Sequence, residues 1–311
     1  MCDLGHEHWG VYGAAGLLVY HHDASGVAHV LLQHRARWSH NGGTWGVPGG
    51  ARDSHESAEA AALREATEEA ALDGRAVRIS GTIRDHHGGW AYETVLAAAD
   101  RLLPARAVNL ESRRITWVPV AEVTDRKLHP GFAETWPRAR AALGRLVLVV
   151  DVANVMGARA DGWWRDRAGA AARLRDGVSA RLALGLSSAV LPSGIPLPDL
   201  DHWYPEVVMV VEGQARDVAA TGQAQSREAR RSGWRSGEGP AGQAPSVPGI
   251  RVVAAPGGGD DTIVAEAQAA AAAPDDHVVV VTADRGLRAR VTAAGAATAG
   301  PRWLLSLIDG S

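Results

Sequence analysis

GARDSHESAEAAALREATEEAAL, residues 50–72, decides the reading of the first half of the chain. From Ser54 to Leu72 it contains no Gly or Pro and is rich in Ala and Glu, which predicts a helix. Glu65, Glu68 and Glu69 stand at i, i+3 and i+4, so a helix projects all three carboxylates from one face. Like charges packed that way destabilise the helix unless a cation neutralises them, and hard oxygen donors at that density suit Mg²⁺ or Mn²⁺. Three acids alone describe an ordinary solvated helix equally well; the surrounding residues carry the rest of the information.

Upstream, VYGAAGLLVY, HHDASG and VAHVLLQHR read as strand, turn, strand over residues 10–35. Glycines 42, 43, 46, 49 and 50 then interrupt any regular element. Downstream, strands are expected at Val77–Arg84, Tyr92–Ala99 and Ile115–Pro119, followed by a closing helix at Phe132–Leu143. Asp85, His86 and His87 are expected in a loop on the substrate side, and Trp45 in the core. The first domain is thus a mixed α+β fold over residues 1–144.

Gly50, five residues, Glu56, seven residues, then Arg64-Glu65-Ala66-Thr67-Glu68-Glu69-Ala70-Ala71-Leu72 resembles the Nudix box, with every charged position at the right spacing. The preceding GGTWGVPGG resembles the strand and loop that lead into the catalytic helix of MutT-like members. Ala71 replaces the family's glycine, which is expected to lengthen or reshape the turn ending the helix.

The resemblance implies a Nudix fold, a mixed sheet between helices, and a metal-dependent pyrophosphohydrolase acting on a nucleoside diphosphate linked to another moiety. It implies that Glu65, Glu68 and Glu69 hold Mg²⁺ or Mn²⁺, that Arg64 orients carboxylates, and that Glu56 is the partner of Arg64. Arg64 and Glu68 are four apart, so a bidentate guanidinium contact between them is expected. Gly50 supports the box, and Glu111, just before a strand, stands where many members place a further acid. The implied chemistry is attack on phosphorus by a metal-activated water, without a covalent enzyme intermediate. A Nudix fold that senses a nucleotide and regulates the attached domain is the alternative, although such regulators usually lose box acids and this chain keeps them all.

From Leu146 the rhythm changes. LVLVVD, EVVMVVEG, GIRVVAAP and DHVVVVTADRG are Val-rich runs separated by helical stretches at Trp163–Leu184, Asp261–Ala273 and Leu287–Ala294, which predicts an α/β domain with a parallel sheet covered on both faces. Acids recur at the strand ends: Asp151 with Asn154, then Glu212, Asp260 with Asp261, and Asp284. In such sheets functional groups gather at the carboxyl edge, while Asp and Asn also serve as plain helix caps.

VVDVANV, VVMVVEG, GGDDTIVAEA and VVVVTADRGLRARV, in that order, resemble PIN-like nucleases of the NYN class over residues 145–311. The resemblance implies Asp151, Asp261 and Asp284 as metal ligands, Asn154, Glu212 and Asp260 in support, and RNA as the partner. Glu212 stands where the family often has aspartate, and Val152 where it often has glycine. No G-x-G-x-x-G follows the first strand of either domain, so a dinucleotide-binding fold does not fit.

Gln214 to Pro248, rich in Gly, Ser, Gln, Ala and Arg, is expected to be a disordered insertion. The 311 residues carry a formal net charge of −3 with one cysteine, Cys2, which excludes a protein that coats nucleic acid through charge alone and any intramolecular disulfide. No apolar run approaches the ~20 residues of a membrane span, and residues 1–10 lack the pattern of a signal peptide. A cytoplasmic, membrane-free protein with a nucleotide-type substrate is the expectation.

Overall fold

The computed structural model describes residues 10–192, 194–216 and 249–310. The expectation of disorder for 214–248 falls outside these residues from 217 on, and the reading of residues 1–10 falls outside them up to residue 9. Gln214–Arg216 belong to a 3₁₀ turn in which Ala215 is buried, so this part of the expected insertion is ordered. No described helix is long and apolar enough to cross a membrane.

The chain divides into two compact units, residues 10–144 with Pro198–Trp203, and residues 145–197, 204–216 and 249–310. The first holds β1 (Ala14–His22), β2 (Ala28–Arg35), β3 (Trp45–Gly46), β4 (Gly49–Ala51), α1 (Ala58–Ala70), β5 (Val77–His87), β6 (Trp90–Ala99), β7 (Ser112–Pro119) and α2 (Pro130–Ala141). β1 pairs parallel with β6 and antiparallel with β2 and β4; β2 also pairs with β3 and β7, and β6 with β5. All residues of β1 from Ala14 to Tyr20 are buried, as a central strand covered on both faces requires.

α1 is shorter at its start than the sequence predicts. Asp53–Glu56 forms a turn instead, with the Glu56 amide donating to the Asp53 carbonyl at 3.1 Å, and Ser57 caps the helix by accepting from the Ala60 amide at 3.2 Å. Ala58, Ala61, Ala62, Ala66 and Ala70 form its buried face, and α1 packs on β1.

Asp85–His87 lie within β5 rather than in a loop. Gly88 and Gly89, with φ of 46° and 76°, make the two-residue turn to β6, a conformation that costs glycine little. Pro198–Trp203, assigned by the sequence to the second domain, folds against the first sheet. Its strand β10 (His202–Trp203) pairs antiparallel with Thr82 and Gly81 of β5. Gly81 leaves the room: a Cβ there would lie 2.3 Å from Leu200 Cδ1.

The second unit is a parallel sheet. β8 (Leu146–Asp151) lies at its centre, flanked by β11 (Glu206–Val211) then β12 (Ile250–Ala254) on one side, and by β13 (His277–Val281) then β14 (Ala297–Ala299) on the other. A two-residue strand, β9 (Leu186–Ser187), precedes β10 in the chain. The helices are α3 (Val152–Gly157), α4 (Arg167–Leu182), α5 (Gly259–Ala270), α6 (Arg285–Ala293) and α7 (Pro301–Ile308). α3, β14 and α7 have no counterpart in the sequence reading, and the stretch expected as one helix from Trp163 is split by Asp166, whose carboxylate caps α4 through the Gly169 amide at 2.8 Å.

α1 ends on Ala71 at φ 54°, ψ 31°, the left-handed conformation that suits glycine. The turn therefore keeps its form despite the alanine, contrary to expectation, and the alanine Cβ bears the strain. Ala71→Gly should stabilise the fold by about 1 kcal/mol, less the extra chain entropy of glycine, read as a rise in the thermal midpoint. A midpoint that falls would show that neighbouring contacts, not the backbone, hold this turn.

Candidate active site

The carboxylate helix is organised by one guanidinium. Arg64 Nε and Nη2 donate to the two oxygens of Glu56 at 3.0 and 2.9 Å, Nη1 reaches Glu65 Oε1 at 2.8 Å, and Nη2 also donates to the Ala51 carbonyl at 3.0 Å. The bidentate contact is with Glu56; Glu68, for which the spacing predicted it, is touched only at 3.5 Å. The Arg64 hydrogen bond is the main reason that the Glu56 carboxyl lies below its ordinary pKa, and the Arg64 guanidinium is held more firmly protonated in return.

The box acids occupy three environments. Glu68 is 58% exposed. Glu65 is partly buried, and burial raises its pKa against the opposing pull of Arg64. Glu69 is only 4% exposed; its Oε2 accepts from the Gly49 amide and from Gln33 Nε2, each at 3.1 Å. Burial is again the main upward push on Glu69, opposed most by the Gly49 amide. Gln33 was not singled out by sequence reading, because a lone polar residue within a strand has no motif of its own.

Gly50 lies against the Glu65 carboxylate: a Cβ there would come within 2.5 Å of Glu65 Oε1 and displace it. Glu111 is exposed and makes no hydrogen bond or ion pair to α1 among the described residues, although its neighbour Ser112 accepts from Gln33 Nε2 at 2.6 Å. Asp85 is tied to α2, accepting from Thr135 Oγ1 at 2.5 Å and pairing with Arg138 at 3.5 Å, so it braces the fold. Trp45 is half-buried rather than core, stacked on His34 at 4.6 Å with Arg126 over its ring at 5.1 Å.

In the second unit the chain leaves β8 toward β11 and β12, then returns to the other side of β8 through β13. This reversal of strand order is where open α/β sheets form a crevice. An open cleft of about 830 Å³ lies there, lined by Asp151, Asn154, Glu212, Asp260, Asp284 and Arg302, among others. Asp151 is buried, accepting from the Asn154 amide at 3.0 Å and from Thr282 Oγ1 at 2.8 Å; burial raises its pKa, and Asp260 and Glu212 push the same way. Glu212 accepts from the Gly259 amide at 2.6 Å, and Asp284 caps α6 through the Leu287 amide at 2.7 Å.

The structure exchanges two neighbours of the sequence reading. Asp261, expected as a ligand, is 89% exposed and paired with Arg290 at 2.5 Å, whereas Asp260, expected only in support, lines the cleft. At one helix turn's start, successive residues point about 100° apart, so one of the pair faces the cleft and the other does not.

At both places the donors are hard carboxylate oxygens whose mutual repulsion and burial disfavour their charges, which fits a divalent cation. As they stand, no three His, Cys, Asp or Glu side chains converge closely enough to hold a metal among the described residues. Arg64, Gln33 and the backbone amides hold the first set at their present separations.

The family profile described as NUDIX domain matches residues 13–138. A Mycobacterium tuberculosis protein assigned by name as 8-oxo-dGTP diphosphatase 3 is 49% identical over 148 residues, 45% of this chain and 67% of that protein. The chain belongs to the Nudix family. A Bifidobacterium longum protein named as a nucleoside triphosphate pyrophosphatase/Nudix hydrolase fusion is 44% identical over 149 residues, 47% of this chain and 31% of its own length. Among solved structures, a Nudix hydrolase from M. smegmatis, RenU, is 46% identical over 45% of this chain and 90% of its own, with a TM-score of 0.43. The Nudix domain is the first unit, and its box is the segment around Arg64.

Two outcomes follow from this geometry. Gly50→Ala should displace Glu65 and lower Nudix turnover by roughly 10- to 100-fold while unfolding stays cooperative; wild-type turnover would mean that Glu65 relaxes freely. At the second cleft, an acid with a raised folded-state pKa favours folding at low pH and opposes it as pH rises past the ordinary aspartate value of 3.8. Asp151→Asn should therefore gain stability near neutrality without divalent ions, with the gain vanishing below 3.8, as denaturant midpoints across pH will report. A gain independent of pH would place its origin in packing instead of charge.

Proposed function

We propose that the Nudix domain is a pyrophosphohydrolase of nucleoside triphosphates, with oxidised purine nucleotides such as 8-oxo-dGTP as its substrate class. The carrying observation is the intact box, Glu56, Arg64, Glu65, Glu68 and Glu69, in which the Arg64 fork joins Glu56 to Glu65. The substrate class rests on the 49% identity to the mycobacterial protein of that name.

Nudix hydrolases use divalent metal ions, and here Glu65, Glu68 and Glu69 would hold Mg²⁺ or Mn²⁺, which neutralises phosphate charge and acidifies a bound water. Arg64 and Glu56 keep Glu65 in place, and Gln33 and the Gly49 amide do the same for Glu69. Water adds to one phosphorus, the phosphoanhydride bond breaks, and a nucleoside monophosphate and pyrophosphate leave. Glu111 is the proposed general base that takes the water's proton; it lies on the turn before β7, next to Ser112, which is bonded to Gln33.

A second reading concerns the other unit. Asp151, Glu212, Asp260 and Asp284 around one cleft at the carboxyl edge of a parallel sheet favour a PIN-like, metal-dependent ribonuclease acting on an RNA phosphodiester. Asp260 takes the ligand role in this reading, and Asp261 is left out of it.

One experiment tests both. The full chain is incubated with Mg²⁺ or Mn²⁺ and a panel of nucleoside triphosphates including 8-oxo-dGTP, ADP-ribose, dinucleotide polyphosphates and 5′-triphosphorylated RNA. Glu68→Gln should abolish nucleotide cleavage and leave RNA cutting intact, Asp151→Asn should do the reverse, and Glu111→Gln should slow only the former. Undiminished turnover in Glu68→Gln would overturn the first reading. Tight nucleotide binding without any cleavage by the wild type would favour the sensor alternative.

A further inference from the structure

Gln33 stands in β2 at the end of the apolar run Val30-Leu31-Leu32 and is fully buried. Both hydrogens of its amide are committed: Nε2 donates to Glu69 Oε2 at 3.1 Å and to Ser112 Oγ at 2.6 Å. Its Oε1 has no partner among the described residues. Turning the amide over would set its oxygen against Glu69 Oε2, so the carboxylate dictates the orientation.

A buried amide with an unsatisfied acceptor is unfavourable, and a strand core with only packing to serve takes an apolar side chain of that size. Here the unfavourable group touches one of the box acids. Glu69 is also bonded by the Gly49 amide at 3.1 Å, and Asn109, whose Oδ1 accepts from the Ser112 amide at 3.2 Å, favours its charged form as well. Arg64 reaches Glu56, Glu65 and Glu68, and none of its hydrogen bonds goes to Glu69. Glu69 is thus gripped by neutral donors from β2 and β4. Neutral donors fix a carboxylate's direction without a counter-charge, so its negative charge stays available to a ligand.

We propose that Gln33 is a positioning residue of the Nudix site: its amide clamps Glu69 between β2 and β7, aiming the carboxylate at a divalent cation while leaving its charge uncompensated. The inference rests on the proposed reading of the box as a metal site. It predicts that the clamp tunes metal affinity and the rate of the chemical step, and leaves nucleotide binding nearly alone.

The test uses the full chain as wild type, Gln33→Leu and Gln33→Glu. Mn²⁺ affinity is read by electron paramagnetic resonance without nucleotide, kcat and KM with the nucleotide that the wild type cleaves, and folding by the thermal midpoint. Gln33→Leu, which removes the orphan acceptor with the donor, should hold or raise the midpoint, weaken Mn²⁺ about tenfold and lower kcat with KM within about twofold. Gln33→Glu keeps the size and the acceptor but loses the donor, and should weaken Mn²⁺ at least as much; it decides the matter if the leucine variant does not fold. Wild-type Mn²⁺ affinity and kcat in a folded variant would overturn the inference alone. A wild type that binds no Mn²⁺ would overturn the metal reading and the inference with it.

Discussion

The two-pronged contact of Arg64 with Glu56 is the interaction on which the first domain's site depends. α1 places acids at 65, 68 and 69 on one face, and burial opposes the charge of two of them. One guanidinium, itself fixed by Glu56 and the Ala51 carbonyl, compensates the helix and ties it to the loop from which it starts. A lysine could supply the charge but not the planar fork that spans two oxygens of one acid and reaches a second acid. Gly50 completes the arrangement by letting the loop backbone come up to Glu65.

The second unit meets the same difficulty without a guanidinium fork. Its acids at the carboxyl edge take their hydrogen bonds from backbone amides at helix starts and from Thr282. A helix N-terminus carries unsatisfied amides and partial positive charge, so Asp151, Glu212 and Asp284 each tie down a helix start and line the cleft at once, with Asp260 as a fourth wall residue. These two roles are physically the same contact, which is why acids at strand ends are ambiguous when read from sequence. What sets these four apart is that the reversal of strand order at β8 brings them to one cleft.

Much of the architecture was legible because it rests on periodicity. The Val-rich runs became the parallel strands β8, β11, β12 and β13, and the charged spacing around Arg64 became one face of α1. Short elements were not legible. β3, β4, β10 and β14 have at most three residues each, too few for any alternation to show, and β10 is a strand only by its pairing with Gly81 and Thr82 of β5. The helix end at Ala71 misled in the opposite direction: an alanine suggested a changed turn, yet the backbone keeps glycine's left-handed conformation, its amide bonded to the Ala66 and Thr67 carbonyls.

By itself the sequence determined the membership of α1's face, the pairing of Arg64 with Glu56 through the family pattern, and the continuous apolar runs that build the parallel sheet. These depend on neighbours within a few residues, where helix and strand geometry convert spacing directly into direction. Only the tertiary structure decided that Gln33, 36 residues before Glu69, grips it, that Asp260 and not Asp261 faces the cleft, and that Pro198–Trp203 joins the first sheet. Those contacts join distant segments, and their existence depends on how whole elements pack, a quantity that no local spacing encodes.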